Sequence, residues 1–212
     1  MEDKKIKKKE YLFISPFYKS RYKNGGFKRF SQLKEIFSEY NFLFFNPYFN
    51  IKESIPFLKK NFLNLILSFI FAARLYIFKG LSLKGFLIII IKSIVFIEII
   101  KKNRNRKVLI EGAGNLPLIF CQYLIQRKIS FLVVPSNIEY LVRDPRDNIY
   151  FRSNFYKYKN EIEVYKYSEK VITICEYDSS ILACHNISSK CIPYLPDKKH
   201  QKKLFQISKY RK

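Results

Sequence analysis

The sequence predicts an α/β domain: a mostly parallel, Rossmann-like sheet with helices on both faces. Three observations predict it. Short apolar runs, each closed by proline, glycine or polar residues, alternate with longer segments of helical period. The run Val171-Ile-Thr-Ile-Cys-Glu-Tyr-Asp178 passes from buried strand into helix without a loop, so a strand's carboxyl end opens onto a helix N-terminus. Open α/β sheets place their ligands there. Gly25-Gly26 stands in the same position after the first apolar run.

The elements follow in order. Residues 1–10 are a charged tail. Tyr11 to Ser15 is a short buried strand stopped by Pro16. After the basic, aromatic loop 17–26, residues 27–40 carry Phe27, Phe30, Leu33, Ile36 and Phe37 at helical spacing. Asn41 to Asn46 is the second strand, closed by Pro47. Val108 to Glu111 is a strand, and Gly112-Ala-Gly-Asn115 leads into a helix from Leu116 to Arg127, with Pro117 suited to its first turn. Ser130 to Val134 is the next strand, and Asn137 to Tyr140 begins a turn or short helix. A long helix is predicted over 148–168, with Tyr150, Phe151, Phe155, Tyr158, Ile162 and Tyr165 facing inward. Lys170 to Ile174 is a strand, Glu176 to Cys184 a helix, and Lys190 to Tyr194 a last strand. The tail 196–212 is basic.

Residues 55–102 break the pattern. Residues 61–73 carry no charge, and 86–100 are nearly all apolar apart from Lys92, Ser93 and Glu98. Two helices covering the sheet, a helical pair in the membrane interface, and two spans all fit. Each stretch falls short of the roughly 20 apolar residues of a span or carries a charge near its middle. Flanking Lys59, Lys60, Lys79, Lys84, Lys101 and Lys102 suit an anionic surface.

With 212 residues, 48% of them hydrophobic, the chain can bury one sizeable core. Its net charge of +23 favours anionic partners, although Lys is abundant alongside Ile, Phe, Tyr and Asn, as in a chain of biased composition. Cys121, Cys175, Cys184 and Cys191 form no C-x-x-C pair, and only His185 and His200 could join them, so no metal site is predicted. No secretory leader is recognisable, which predicts a cytoplasmic protein with free thiols. Neither an RNA-binding signature nor zinc-finger spacing is present, so nucleic acid is not an expected partner.

Several motifs carry possible chemistry. Gly25-Gly26 lets backbone N–H groups approach a phosphate or sugar hydroxyl, with Lys23, Lys28 and Arg29 adding charge. An ordinary βα turn accounts for the same pair. Gly112-Ala-Gly-Asn115 begins like a dinucleotide or S-adenosylmethionine loop but lacks the third glycine. Ser136-Asn-Ile-Glu139 follows a strand, so Glu139 is placed to act as a base or hold a hydroxyl. Alternatively, Asn137 caps a helix and Glu139 decorates its first turn. Glu176 and Asp178 likewise suit a helix N-terminus through the dipole alone.

In this order the motifs resemble the N-terminal, acceptor-side domain of a GT-B glycosyltransferase of the family 4-like kind. Phe13-Ile-Ser-Pro-Phe17 through Gly25-Gly-Phe-Lys-Arg29 resembles its opening strand, Gly-Gly turn and Arg-bearing helix. Pro135-Ser-Asn-Ile-Glu139 resembles its His-Asn-x-Glu segment, with Ser136 in place of the His. Glu161, Tyr165, Ser168 and Val171 through Asp178 resemble its later strand-to-helix run, and Lys190-Cys-Ile-Pro-Tyr194 the strand that ends this half. The resemblance covers 11–195 apart from 55–102, which reads as an apolar helical insert.

The resemblance implies transfer of a sugar from a nucleotide-sugar donor to a glycan or lipid-linked acceptor, as in cell-envelope polysaccharide synthesis. It implies catalytic roles for Glu139 and Asn137, and substrate binding by Gly25, Gly26, Arg29 and Glu176. The family's donor domain would begin near Lys212. The chain is therefore expected to bind no cofactor itself and to be incomplete without a nucleotide-sugar-binding half or separate chain. Its expected place is the inner face of the cell membrane, on an anionic surface. The alternatives are a small cofactor-binding enzyme such as a methyltransferase, using Gly112 to Asn115, or a basic membrane- or nucleic-acid-binding module. An acidic residue ending the strand after Gly112 would favour the former, but that strand ends Val133-Val134-Pro135.

Overall fold

Leu12, Phe13 and Ile14 are all fully buried, as a strand covered on both faces requires. They belong to β1 (Glu10–Ile14), the second strand from one edge of a six-stranded, all-parallel sheet. The other strands are β2 (Asn41–Phe45), β3 (Lys107–Glu111), β4 (Phe131–Val134), β5 (Lys170–Thr173) and β6 (Ser189–Cys191). Their spatial order is β2-β1-β3-β4-β5-β6. The register sets Leu12 beside Leu43 on one flank and Val108 on the other. The computed structural model describes residues 10–18, 25–36, 40–49, 62–112, 114–135, 138 and 150–193.

Six helices are described: α1 (Gly25–Ile36), α2 (Phe62–Phe78), α3 (Leu83–Lys102), α4 (Asn115–Gln126), α5 (Asn154–Tyr167) and α6 (Glu176–Cys184). Their placement follows from right-handed crossovers. The step from β1 to β2 runs one way along the sheet, and every later step runs the other way. α1 therefore covers one face, packing Phe30 and Leu33 against Phe13, Leu109 and Ile172. The remaining helices share the opposite face with Leu12, Ile14, Val108, Ile110 and Val133. Within that layer Phe96 of α3 stacks on Phe120 of α4, with centroids 4.1 Å apart and planes within 2°.

The apolar segment expected as an insert is, over 62–102, part of the crossover that carries the chain from β2 past β1 to β3. Phe71, Ala72 and Leu75 of α2 and Ile89, Phe96, Ile97 and Ile100 of α3 belong to the domain core. Two of the charges that interrupt the segment, Lys92 and Glu98, are satisfied within the protein. Lys92 donates to the Phe49 carbonyl, and its ammonium lies 4.1 Å from the Phe49 ring centroid. Glu98 accepts from Asn64 at 2.8 Å and pairs with Lys102 at 3.2 Å. Among the described residues, no helix is long and apolar enough to cross a membrane.

α2 buries Phe71, Ala72 and Leu75, yet it is apolar on its outer side as well, and the inner side of its first two turns is polar. Asn64 (2% exposed) and Ser68 point inward, whereas Phe62 (72%), Leu63, Ile66, Phe69, Ile70, Ile77 and Phe78 (74%) face outward. Water would favour the reverse arrangement.

The last helices show where local pattern misleads. α5 begins at Asn154, six residues later than the aromatic stripe predicts, because Phe151 bridges to Leu81 and Ser153 is the N-cap in extended conformation. Tyr150, Phe151, Ile162 and Tyr165 are buried as expected, but Phe155 is exposed. α6 occupies Glu176–Cys184 as predicted. The predicted features at 1–9, 137, 139–140 and 194–212 lie outside the described residues.

Between α2 and α3, Gly80 adopts φ +71°, and a Cβ built there would lie 2.1 Å from the Tyr156 ring. Both backbone strain and overpacking oppose a side chain. Gly80→Ala is expected to cost about 2 kcal/mol, measured as a lower midpoint in denaturant unfolding.

Candidate active site

The reversal of winding between β1 and β3 is a topological switch point, and the loops leaving the two strands diverge there. A crevice at their carboxyl ends is the expected ligand site of such a sheet. Three helices begin at this same edge: α1 after β1, α4 after β3 and α6 after β5. Their N-terminal partial charges favour an anion or a polar group.

Glu111, the last residue of β3, is fully buried. Ser15, directly after β1, lies beside it, and its hydroxyl donates to Glu111 Oε2. Ser15 is fixed by two further bonds. Its N–H donates to the Phe45 carbonyl at 2.9 Å, and its Oγ accepts from Phe17 N–H at 3.1 Å. Glu111 Oε1 is buried and has no hydrogen-bond partner among the described residues. Burial pushes the Glu111 carboxyl up to about 8, against the opposing effects of the Ser15 hydroxyl and the Arg29 charge. At neutral pH this acid is mostly protonated, and it ionises as the pH rises through about 8.

Beyond Glu111 the backbone turns sharply. Gly112 has φ +80°, and its N–H donates to the Val134 carbonyl at 2.9 Å. Among the described residues, nothing lies within 4 Å of the position a Cβ would take, so none of them fills the space beside this backbone. Gly114 is the N-cap of α4, and Asn115 follows with φ 52°. Asn115 Oδ1 is a second buried acceptor without a hydrogen-bond partner among the described residues. The switch point therefore offers two acceptors, Glu111 Oε1 and Asn115 Oδ1, beside an unfilled backbone position. Hydroxyl-bearing ligands meet that need.

The residues predicted to bind substrate divide between two places. Gly25 and Gly26 are the first two residues of α1, rather than a turn ahead of it, and lie at the correct end of the sheet. Arg29 is 3% exposed. Its guanidinium donates at 3.1 Å to the Ile192 carbonyl and at 3.1 Å to Gln32 Oε1, so it ties α1 to the chain after β6. Arg29 is thus anchored within the fold, and its charge acts on Glu111. Glu176 opens α6 with its side chain exposed, and β4 separates its strand from β3. The candidate catalytic residues Asn137 and Glu139 lie outside the described residues.

Sequence reasoning passed over Glu111, Ser15 and Asn115. A usable signal was present: a carboxylate that closes an apolar strand immediately before glycine. β4 ends in buried Val133, Val134 and Pro135, so no carboxylate stands there to hold the ribose of a dinucleotide or S-adenosylmethionine. Two hollows, of about 430 and 560 Å³, lie away from this edge. The first is lined by Lys79, Glu163 and His185, and Lys79 and Glu163 pair at 2.5 Å. The first hollow carries a buried acceptor of its own, Asn160 Oδ1, and the second a buried donor, Arg106 Nη1, each without a partner among the described residues; what sets the switch point apart is that its unmatched atom belongs to a buried carboxyl group, Glu111. Among the described residues no group of three His, Cys, Asp or Glu could hold a metal. No protein-family model, curated protein or solved structure matches the chain.

Proposed function

We propose that this protein is the acceptor-side half of a GT-B glycosyltransferase, acting with a nucleotide-sugar-binding half at the inner face of the cell membrane. The observation that carries the reading is the pair of buried, unmet acceptors at the switch point, Glu111 Oε1 and Asn115 Oδ1, beside the space at Gly112 that no described residue fills. A sugar acceptor presents neighbouring hydroxyls that would satisfy both. The motif resemblance over 11–195 supports the same class. The outward apolar face of α2 supports a peripheral place on the membrane, where a lipid-linked acceptor resides.

In this reading the acceptor hydroxyl oxygen bonds to the anomeric carbon of the donor. The carbon–oxygen bond to the nucleoside diphosphate breaks, and the diphosphate leaves with the electron pair. The hydroxyl proton passes to ionised Glu111, whose raised pKa suits a general base near neutrality. Ser15 positions the carboxylate by donating to Oε2.

The test uses tagged full-length chain recovered with its partners from its own cells. It is incubated with the cell's membranes and a panel of radiolabelled nucleotide sugars. Label is expected in the glycan or lipid extract, reduced about a hundredfold by Glu111→Gln. No transfer from any donor by the recovered wild-type material would sink the reading.

A further inference from the structure

The amino ends of the strands carry the hollow of about 560 Å³, at the edge opposite the switch point. Its floor is apolar, with Leu63, Leu67 and Ile100 among the lining. Lys101, Arg104, Arg106 and Arg127 also line it, and among the described residues no carboxylate does. The cations are incompletely matched. Arg106 Nη2 lies 3.6 Å from Glu10, but its Nη1 is buried without a hydrogen-bond acceptor among the described residues. Lys101 is held by the neutral Asn64 Oδ1 at 2.5 Å. The Arg127 guanidinium sits 5.7 Å from the Tyr123 ring centroid. Glu98, the nearby acid of α3, is engaged by Asn64 and Lys102. Over 62–106 the chain has eight Lys and Arg and a single acid, Glu98.

An apolar hollow bordered by four cations, one of them with a buried unmet donor, is complementary to a phosphate that carries a hydrocarbon tail. Leu63 belongs both to this hollow and to the outward apolar face of α2. A tail leaving the hollow therefore meets a 17-residue helix, about 25 Å long, whose outer face is apolar. We infer that the hollow binds the phosphate of one anionic phospholipid of the bilayer, with its acyl chains against α2. The site is separate from the acceptor crevice and rests on the proposed membrane location. Bilayer contact through α2 and capture of one headgroup by Arg104, Arg106, Arg127 and Lys101 supply the two signals that stable peripheral anchoring needs.

The test separates the hollow from the membrane face. Dihexanoyl phosphatidylglycerol, kept below its micelle concentration, is titrated calorimetrically into the full chain. Saturable one-to-one binding is expected, weakened about tenfold or more by Arg104→Gln with Arg127→Gln. Both arginines are exposed, so the double variant keeps its fold, checked by circular dichroism. Phe69→Ser with Ile77→Ser is expected to leave this binding intact while weakening attachment to mixed phosphatidylcholine–phosphatidylglycerol vesicles. Vesicle attachment without saturable binding of the monomeric lipid overturns the headgroup site and leaves the membrane reading standing. Monomer binding without vesicle attachment overturns the bilayer as source, and the membrane reading with it. Equal affinity for inorganic phosphate or dihexanoyl phosphatidylcholine overturns the anionic amphiphile as ligand.

Discussion

Wild-type protein is expected to lose stability as the pH rises from about 5 to 8, and Glu111→Gln is expected to abolish most of that loss. The cause is the buried carboxyl, whose folded pKa is raised from 4.5 to about 8 by desolvation. Between those two values the folded state holds a proton that the unfolded state has released. Unfolding therefore becomes more favourable as the pH climbs through the window and levels off above it. The size is on the order of 3 kcal/mol. Glutamine occupies the same space, still accepts from Ser15, and does not titrate. Urea unfolding of both proteins at a series of pH values measures the difference. Parallel slopes through the window would mean that Glu111 is ionised throughout. The same proton links stability to activity: transfer that needs ionised Glu111 rises with pH while the fold weakens.

Phe96→Ala is expected to cost about 4 kcal/mol. Phe96 is fully buried, stacked on Phe120 and edge-on to Tyr123 at 5.7 Å. Truncation removes apolar burial and leaves a cavity between α3 and α4, where an aligned aromatic pair cannot close over it. Phe96→Leu, which keeps most of the volume, should cost markedly less. Denaturant midpoints of the two variants decide the matter, and equal losses would show that the layer collapses around either change.

The strands were legible because each is an apolar run with its own stop. Pro16, Pro47 and Pro135 end three of them within two residues of the observed boundary. The helix after Cys175 was legible because nothing separates it from the strand. The start of α5 was not, since Phe151 is held by a bridge to Leu81, a pairing between distant parts of the chain. The site was half legible. Glycines at helix starts mark the correct edge of the sheet, because only backbone geometry is needed to infer it. The Ser15–Glu111 contact joins residues 96 apart, and no local spacing encodes it. Arg29 carried the right charge near the right place, but only the fold reveals that the Ile192 carbonyl already occupies it.

The apolar outer side of α2 also sets how the protein behaves in a test tube. Two opposing forces then govern its colloidal state: a net charge of +23 that holds copies apart, and an apolar strip that draws them together. Salt acts on only one of them. At low ionic strength repulsion reaches tens of ångströms, whereas at 1 M the Debye length shrinks to about 3 Å and the strips meet unopposed. Away from lipid, high salt should cluster the protein rather than disperse it, and a mild detergent should reverse the clustering by covering α2 without altering a single charge.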